Sequence, residues 1–190
     1  MMKKALTITF LSLLIFSRPA LAKTTQADIT EASIASNIAW QARSQAIATW
    51  MWLDIYNATL FTQPSFNPSE LLDDQQPLKL ELCYLKPIGR EDLIKGAQAV
   101  LASDLSSDLK QAVNDLHQHY VDVKPGDCYV LEYVPERGTQ LKLNNQLAFE
   151  TALKGFKSVY FGIWLGQNPL SEPLKNKLLS PLEKNKEPLS

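Results

Sequence analysis

Cysteine, histidine and glycine are scarce in this sequence, with two, two and seven in 190 residues. The histidines, His117 and His119, lie two positions apart, which turns them about 200° away from each other on a helix. They therefore cannot chelate one metal ion together, and no CxxC, HxxxH or HExxH spacing is present. A glycine-rich phosphate loop and a motif for a serine or cysteine nucleophile are also absent from the sequence. We therefore predict no metal site and no cofactor.

The first 22 residues have the three parts of a cleavable export signal. Lys3 and Lys4 give a cationic start, residues 5–16 are apolar, and Ala20 and Ala22 form the small-x-small pattern that signal peptidase recognises. The apolar run is too short to span a bilayer, which takes about 20 residues. We predict cleavage after Ala22 and a periplasmic or secreted location. An uncleaved N-terminal anchor is the alternative.

The remaining chain has the length of one domain and no excess of positive charge. Removal of the signal takes three of the 19 basic residues and leaves 16 against 20 acidic ones. A nucleic-acid-binding surface needs a basic stripe, so nucleic acid is excluded as a partner. No later run is long and apolar enough to span a membrane. We predict a single domain over residues 23–180 and a polar, disordered tail over residues 181–190.

The two cysteines lie in strand-like runs. In the alternation of residues 78–85, Cys83 shares a phase with Lys79 and Glu81, and Cys128 begins the run 128–134. Both side chains are expected on the more polar face of a sheet, where they could be cross-strand neighbours. Because an exported chain meets oxidising conditions, the pair is a candidate disulfide. Two separate thiols are the alternative, since the sequence gives no distance between them.

Periodicity predicts the fold class. Two-residue alternation predicts strands over 38–61 (a long strand or a tight hairpin), 78–85, 128–134 and 139–143. Helical spacing predicts helices over 89–101, from Ser106 or Ser107 to Tyr120, from Phe149 to Gly166, and from Ser171 onward. Strands, helices, strands and helices in that order indicate an α+β domain, with an antiparallel sheet and helices packed on one face. Both histidines are expected to be exposed, because other residues form the apolar stripe of their helix.

One acidic residue lies among aromatic residues. Asp54 alternates in phase with Trp50, Trp52 and Tyr56. If that face lines a cavity, burial raises the pKa of Asp54 and suits it to act as an acid or a base. The alternative is an aspartate at the rim of the sheet, bonded to nearby backbone N–H groups. The aromatic residues are then core residues first and a wall for an apolar ligand only second.

Four segments resemble, in the right order, the bacterial chalcone isomerase-like proteins. The run Phe-Gly-Ile-Trp-Leu-Gly at 161–166 is similar to the closing segment of that family. Residues 52–61 resemble its early strand, residues 77–85 its next strand, and residues 123–127 its Gly-Asp turn. The similarity extends from about Trp50 to Leu179 and implies an open-faced β-sandwich with a ligand cleft between the sheet and the helices.

The resemblance also implies two kinds of site. The plant enzymes of the family add a phenol oxygen to an enone, and an arginine and hydroxyl groups stabilise the developing charge. Related non-catalytic members resemble fatty-acid binders that hold the carboxylate with an arginine and a tyrosine. Tyr56 matches this tyrosine, but residues 45–55 contain no arginine, and Arg43 is the nearest one. The missing cation argues against chalcone isomerase activity.

The leading hypothesis is an exported, non-catalytic domain that binds a small apolar or amphipathic molecule such as a fatty acid. Its candidate ligand-binding residues are Arg43, Trp50, Trp52, Tyr56, Tyr84 and Trp164. One alternative is an isomerase or lyase with Asp54 or Tyr56 as its acid or base. Another is a structural or partner-binding protein whose aromatic residues are all core. The sequence does not identify a protein partner.

Overall fold

The computed structural model describes residues 38–183. The predicted export signal and the predicted tail from residue 184 onward lie outside the described residues. Six strands are present: β1 (Gln41–Trp50), β2 (Leu53–Thr62), β3 (Leu78–Tyr84), β4 (Cys128–Val134), β5 (Gly138–Leu143) and β6 (Gln146–Thr151). Four α-helices accompany them: α1 (Arg90–Gln98), α2 (Ser107–Gln118), α3 (Phe156–Leu165) and α4 (Glu172–Glu183). Between residues 38 and 183, no helix has the length and apolar character to cross a bilayer.

The six strands form one antiparallel sheet in the order of the sequence, β1 to β6. One face of the sheet carries the core: Leu60, Leu80 and Leu131 lie opposite one another on β2, β3 and β4 and are almost fully buried. Helices α3 and α4 contribute buried side chains to the same core, and Ser44 of β1 donates a hydrogen bond to the Leu178 carbonyl of α4. The predicted α+β class, with helices on one face of an antiparallel sheet, is confirmed.

Residues 41–62 are a hairpin and not one long strand. The chain reverses at Met51 and Trp52, whose φ angles are 43° and 62°. Positive φ at two successive residues gives the hairpin turn that matches the twist of the strands, although Asn-Gly is the preferred pair there. Because the turn has no such residues, alternation alone could not place the reversal.

The predicted helix from Phe149 to Gly166 is wrong in its first half. Phe149 lies in β6, and the helix begins only at Phe156, after Gly155 with a φ of 79°. Residues 147, 149 and 151 also alternate, so their spacing fits a strand as well as a helix. At the other end of the chain, α4 continues through Pro181 to Glu183, within the first residues of the predicted tail.

The opposite face of the sheet carries the cysteines. Cys83 of β3 lies directly across from Cys128 of β4, with Cα atoms 4.1 Å apart and the sulfurs bonded. That Cα distance suits a pair of antiparallel residues that do not exchange backbone hydrogen bonds. On the same face Glu132 pairs with Arg137 and, at 3.1 Å, with Lys142.

A buried lysine joins α3 to the loop before β3. The side chain of Lys157 has no exposed surface, and its ammonium donates hydrogen bonds to the carbonyls of Asp73 and Gln76, the latter at 2.7 Å. It also lies 4.9 Å from the centre of the Tyr133 ring. Burial lowers the pKa of Lys157 to about 8.

Candidate functional site

Five tyrosines meet in the interior, between the sheet and helices α2 and α3. We call them the tyrosine cluster: Tyr56, Tyr84, Tyr120, Tyr129 and Tyr160. Every member is at least nine-tenths buried. Their rings pack edge to face, with centroids 5.6 Å apart for Tyr56 and Tyr84, and 5.1 Å apart for Tyr120 and Tyr129. Such contacts hold the rings in fixed orientations.

The sheet and the helices each place part of the cluster. Tyr56 pairs with Tyr84 across β2 and β3, and Tyr129 of β4 lies opposite Leu82, next to Tyr84. All three side chains point to the core face. Tyr120 follows the last turn of α2, and Tyr160 lies on α3, one turn before Trp164. A residue four positions on lies on the same helix face, so Trp164 also faces the sheet.

Hydrogen bonds connect the cluster across these elements. The Trp164 indole N–H donates to the Tyr56 hydroxyl at 3.1 Å, and the Tyr160 hydroxyl donates to that of Tyr120 at 2.8 Å. The Tyr129 hydroxyl accepts from the Val121 backbone N–H at 3.0 Å. Tyr84 has no hydrogen bond from its hydroxyl within residues 38–183. The interior therefore contains polar atoms that retain capacity for a further partner.

The electrostatics of the cluster favour neutral groups. Burial raises the pKa of Tyr56, and it raises those of Tyr84 and Tyr160 well above the usual value for tyrosine. Neighbouring hydroxyls raise the last two further, because two phenolates would repel each other. Within the described part of the chain, no ion pair and no cation–π contact involves a cluster member. The cluster can exchange hydrogen bonds with an uncharged group, but none of its own members is a cation; the Arg90 guanidinium, which donates to the His117 carbonyl at 3.3 Å, belongs to an exposed residue beside it.

His117 adds an unpaired nitrogen beside the cluster, and the expectation that it is exposed is wrong. The residue is only 5% exposed, and its ring stacks on that of Tyr120, with centroids 5.9 Å apart, and also contacts Tyr160. Its Nε2 has no hydrogen-bond partner among the described residues. Burial, and then the charge of Arg90, lowers the pKa of His117, so the ring is neutral near pH 7. His119 is exposed, as expected.

Arg43 is not near Tyr56. Its guanidinium donates to the Thr62 hydroxyl at 2.8 Å and to the carbonyls of Gln63 and Pro64 at 2.6 and 2.7 Å. Tyr56 lies opposite Ala48, five residues along β1 from Arg43, or roughly 16 Å at the rise of a strand. Arg43 fastens the loop after β2 and cannot share a carboxylate with Tyr56 in this conformation.

Trp50, Trp52 and Asp54 do not line the interior either. The hairpin turn places them at the rim of the sheet, where the indoles are 67% and 85% exposed. Asp54 is also exposed and accepts a hydrogen bond from the Thr49 hydroxyl at 3.0 Å. The prediction that these residues line a cavity is wrong. The chain reverses between Trp50 and Leu53, so the residues on either side of the turn do not belong to one continuous strand. The isomerase or lyase alternative thereby loses Asp54 as a desolvated acid or base, while its other candidate, Tyr56, is buried.

A shallow groove lies on the other side of α3. It encloses about 190 Å³ between α3 and the segment after α1, with Gly162, Val159 and Leu105 among its lining residues. Ligand pockets usually enclose roughly 300 Å³ or more, so this groove is small for a whole ligand. Residues 38–183 contain no group of three or more His, Cys, Asp or Glu side chains arranged to hold a metal ion.

Of the six predicted ligand-binding residues, the structure brings three together: Tyr56, Tyr84 and Trp164. Tyr120 and Tyr160 lie within the helices predicted from the sequence, but sequence reasoning gave them no part in the site. The sequence placed Tyr129 in a strand without assigning it a function, and it predicted that His117 is exposed to solvent. One signal was available in the sequence: several tyrosines lie in predicted elements, and a tyrosine brings a polar hydroxyl that an apolar core does not require.

Comparison with known proteins agrees with this architecture. Residues 24–180 match the chalcone isomerase-like family. The solved structure of a fatty-acid binding protein from Arabidopsis thaliana superposes with a TM-score of 0.57, at 9% sequence identity over 74% of this chain and 86% of that one. At such low identity the likeness shows the fold alone. No curated protein matches the sequence. Since the family match covers most of its length, the chain belongs to the chalcone isomerase-like family.

Proposed function

We propose that this protein is exported and binds a small apolar or amphipathic molecule with an uncharged polar head, such as a protonated fatty acid. The ligand lies between the sheet and helices α2 and α3, with its head at the tyrosine cluster. The observation that carries the proposal is the group of buried hydroxyls, with the unpaired Nε2 of His117 beside them, in an otherwise apolar interior. A buried polar atom without a partner costs about 1–3 kcal/mol, and a ligand group that pairs with it recovers that cost.

The chemistry of the interior favours a neutral head group over an ionised one. A phenol hydroxyl both donates and accepts hydrogen bonds. A neutral imidazole donates from one ring nitrogen and accepts at the other. An ionised carboxylate at the cluster would be buried among neutral groups, at a cost of several kcal/mol, because the guanidinium of Arg90 already bonds the His117 carbonyl and belongs to an exposed residue. A carboxylic acid, an alcohol or a ketone avoids that cost. This replaces the predicted contact between Arg43 and a carboxylate.

Ligand binding requires the aromatic rings to separate. The Phe156 ring stacks on Tyr160 with centroids 5.4 Å apart, and Tyr160 lies 6.3 Å from Trp164. These distances are van der Waals contacts, so an apolar chain enters only if α3 moves away from the sheet. Two side-chain hydrogen bonds, from Trp164 to Tyr56 and from Tyr160 to Tyr120, oppose that motion at about 1 kcal/mol each.

Two further observations support parts of the proposal. The fatty-acid binding protein of Arabidopsis thaliana shares the fold, so a fold of this kind can hold an acyl chain. For export, the support is the three-part N-terminal pattern, together with the bonded cysteines, since disulfides persist mainly in oxidising compartments. The family match begins at residue 24, just past the predicted cleavage site. The mass of the protein recovered from outside the cytoplasm tests cleavage after Ala22.

The binding site is tested by titrating the exported protein with three ligands of equal chain length: a saturated fatty acid, the matching alcohol and the matching alkyl sulfonate. Tryptophan emission follows binding, because Trp164 lies at the site. We expect the alcohol to bind, the sulfonate not to bind, and the fatty acid to bind more tightly as the pH falls. We expect Tyr56→Phe to weaken alcohol binding by up to about tenfold, the loss of one hydrogen bond.

The matched control is Tyr133→Phe, which removes a phenol hydroxyl that bonds the Asp74 carbonyl, away from the cluster. Tyr133→Phe should leave the affinity unchanged. Equal binding of the sulfonate, or equal affinity of the Tyr56→Phe variant and the wild type, would contradict the assignment of the head-group site. Absence of binding by all three ligands would favour the alternative in which the aromatic residues are only core.

A further inference from the structure

The tip of the β1–β2 hairpin exposes four consecutive large apolar side chains. We call residues 50–53 the hairpin tip: Trp50, Met51, Trp52 and Leu53. The described residues contain nine exposed large hydrophobic side chains, and these four are adjacent. Leu85, which follows β3, and Leu147, near the start of β6, are exposed at the same end of the strands as the hairpin tip. In an antiparallel meander odd strands end where even strands begin, so six of the nine lie at the same end of the strands, with Leu85 one strand from the hairpin and Leu147 on the far side of the sheet.

The hairpin tip has a conformational cost as well as a solvation cost. Met51 and Trp52 have positive φ, a region in which a residue with a side chain is less stable by about 1–2 kcal/mol. Asn-Gly would form this turn without that cost. Neither side chain is buried by the fold in return, because Trp52 is 85% exposed. Strain and exposure at the same residues indicate a role outside the fold.

The exposed area decides between a second copy of the chain and a lipid surface. Two indoles of up to about 250 Å² each, at their observed exposures, present roughly 380 Å². Met51 and Leu53, each about half exposed, raise the apolar area of the tip to roughly 500 Å². A stable protein interface buries about 800 Å² on each partner. A convex tip also needs a matching cavity in a protein partner, whereas a lipid bilayer adapts to its shape.

The charges near the tip favour a neutral lipid surface. Asp54 and Lys86, next to the exposed apolar residues, carry opposite charges. At the same edge of the sheet the Lys124 ammonium pairs with Asp127 at 3.2 Å. These residues therefore give the tip no excess of positive charge with which to attract anionic lipids. Tryptophan prefers the headgroup region of a bilayer, where its ring is in apolar surroundings and its N–H is hydrated.

We propose that the hairpin tip inserts into the headgroup region of a zwitterionic lipid bilayer and attaches the protein to that surface. The attachment is reversible, since only a few side chains enter the lipid. It is driven by burial of Trp50 and Trp52 and does not depend on electrostatic attraction. Tyr56 lies only four residues beyond Trp52 in β2, so the inserted edge of the sheet is also the edge nearest the tyrosine cluster. The proposal does not depend on the ligand assigned above.

The test uses the protein recovered after export, with its N-terminus established by mass, and vesicles of phosphatidylcholine. We expect co-sedimentation with the vesicles, a blue shift of tryptophan emission, and quenching by lipids brominated near the headgroup. A rise in salt from 0.1 M to about 0.5 M should leave binding unchanged, because screening affects only charges. The double variant Trp50→Ser, Trp52→Asn should bind at least about tenfold more weakly. Asparagine tolerates positive φ, so this variant keeps the turn.

Leu170→Ser is the matched control, because Leu170 is an exposed hydrophobic residue outside the hairpin. It should bind vesicles like the wild type. Failure of the wild type to co-sediment, or to be quenched by the brominated lipids, would overturn the proposal without any variant. Equal binding by the double variant would overturn the assignment to the hairpin tip. Self-association of the wild type without lipid, lost in the double variant, would overturn it in favour of a second copy.

Discussion

The buried lysine of α3 gives the stability of the protein a characteristic dependence on pH. Lys157 has no exposed surface, and burial lowers its pKa to about 8 in the folded chain. In the unfolded chain its pKa is about 10.4. Between these values the unfolded state binds more protons than the folded state, so the free energy of unfolding rises with pH. The protonated lysine costs stability in the folded protein, and that cost falls progressively as the pH rises from about 8 towards about 10.4.

The size of the effect follows from the two pKa values. With folded and unfolded values of about 8 and 10.4, Lys157 raises the free energy of unfolding by at most about 2 kcal/mol between pH 7 and pH 9.5. The buried tyrosines act in the opposite direction above about pH 10, because their raised pKa values keep them protonated while the unfolded chain ionises. Below about pH 9.5 the change in unfolding free energy with pH therefore reports mainly on Lys157.

The assay is urea denaturation followed by far-ultraviolet circular dichroism over this pH range, for the wild type, Lys157→Met and Lys154→Met. Lys154 is an exposed neighbour on the same segment and serves as the control. We expect the stability difference between the wild type and Lys157→Met to change by up to about 2 kcal/mol from pH 7 to pH 9.5. The difference between the wild type and Lys154→Met should stay constant. Parallel pH profiles for the wild type and Lys157→Met would refute the reasoning.

Three other predictions concern the disulfide, the cluster and its histidine. Replacing Cys83 and Cys128 by alanine should cost about 3–4 kcal/mol of unfolding free energy, since the bond closes a loop of 45 residues; reductant should then have no further effect in denaturant titrations. A double-mutant cycle of Tyr56→Phe and Trp164→Phe should give a coupling of about 1 kcal/mol, and zero coupling would argue against their hydrogen bond. The folded pKa of His117 is lowered, so its contribution to stability is lost as the pH falls below about 6.5; His117→Phe should reduce that acid sensitivity, as measured by thermal unfolding at pH 5 and 7.

The sequence predicted the elements that carry a clear period. Ser106 caps α2 through its hydroxyl, which accepts from the Leu109 N–H at 3.3 Å, and Ser171 does the same for α4. Two-residue alternation also put both cysteines on the same face of the sheet, although it left open whether they face each other across two strands, as they do. In each case a local rule decides the outcome, and tertiary contacts do not override it.

The misplaced site residues depend on features without a local signature. The turn at Met51 and Trp52 has neither glycine nor asparagine. The two-residue alternation therefore continues through it, which led to the incorrect prediction that Trp50 lines the interior. Arg43 lies at a shift in the register of β1 against β2, which a strict period cannot anticipate. His117 lies at the border of the apolar stripe of α2, where a small rotation of the helix decides between burial and exposure.

The measurement that most directly tests the central claim is native mass spectrometry, with lipid extraction, of the protein recovered after export. Our account predicts one apolar molecule bound per chain, with an uncharged or protonated head group, and a lower occupancy in Tyr56→Phe than in Tyr133→Phe. The same occupancy in both variants, or a bound molecule with a permanently charged head, would contradict the assignment of the tyrosine cluster as its site.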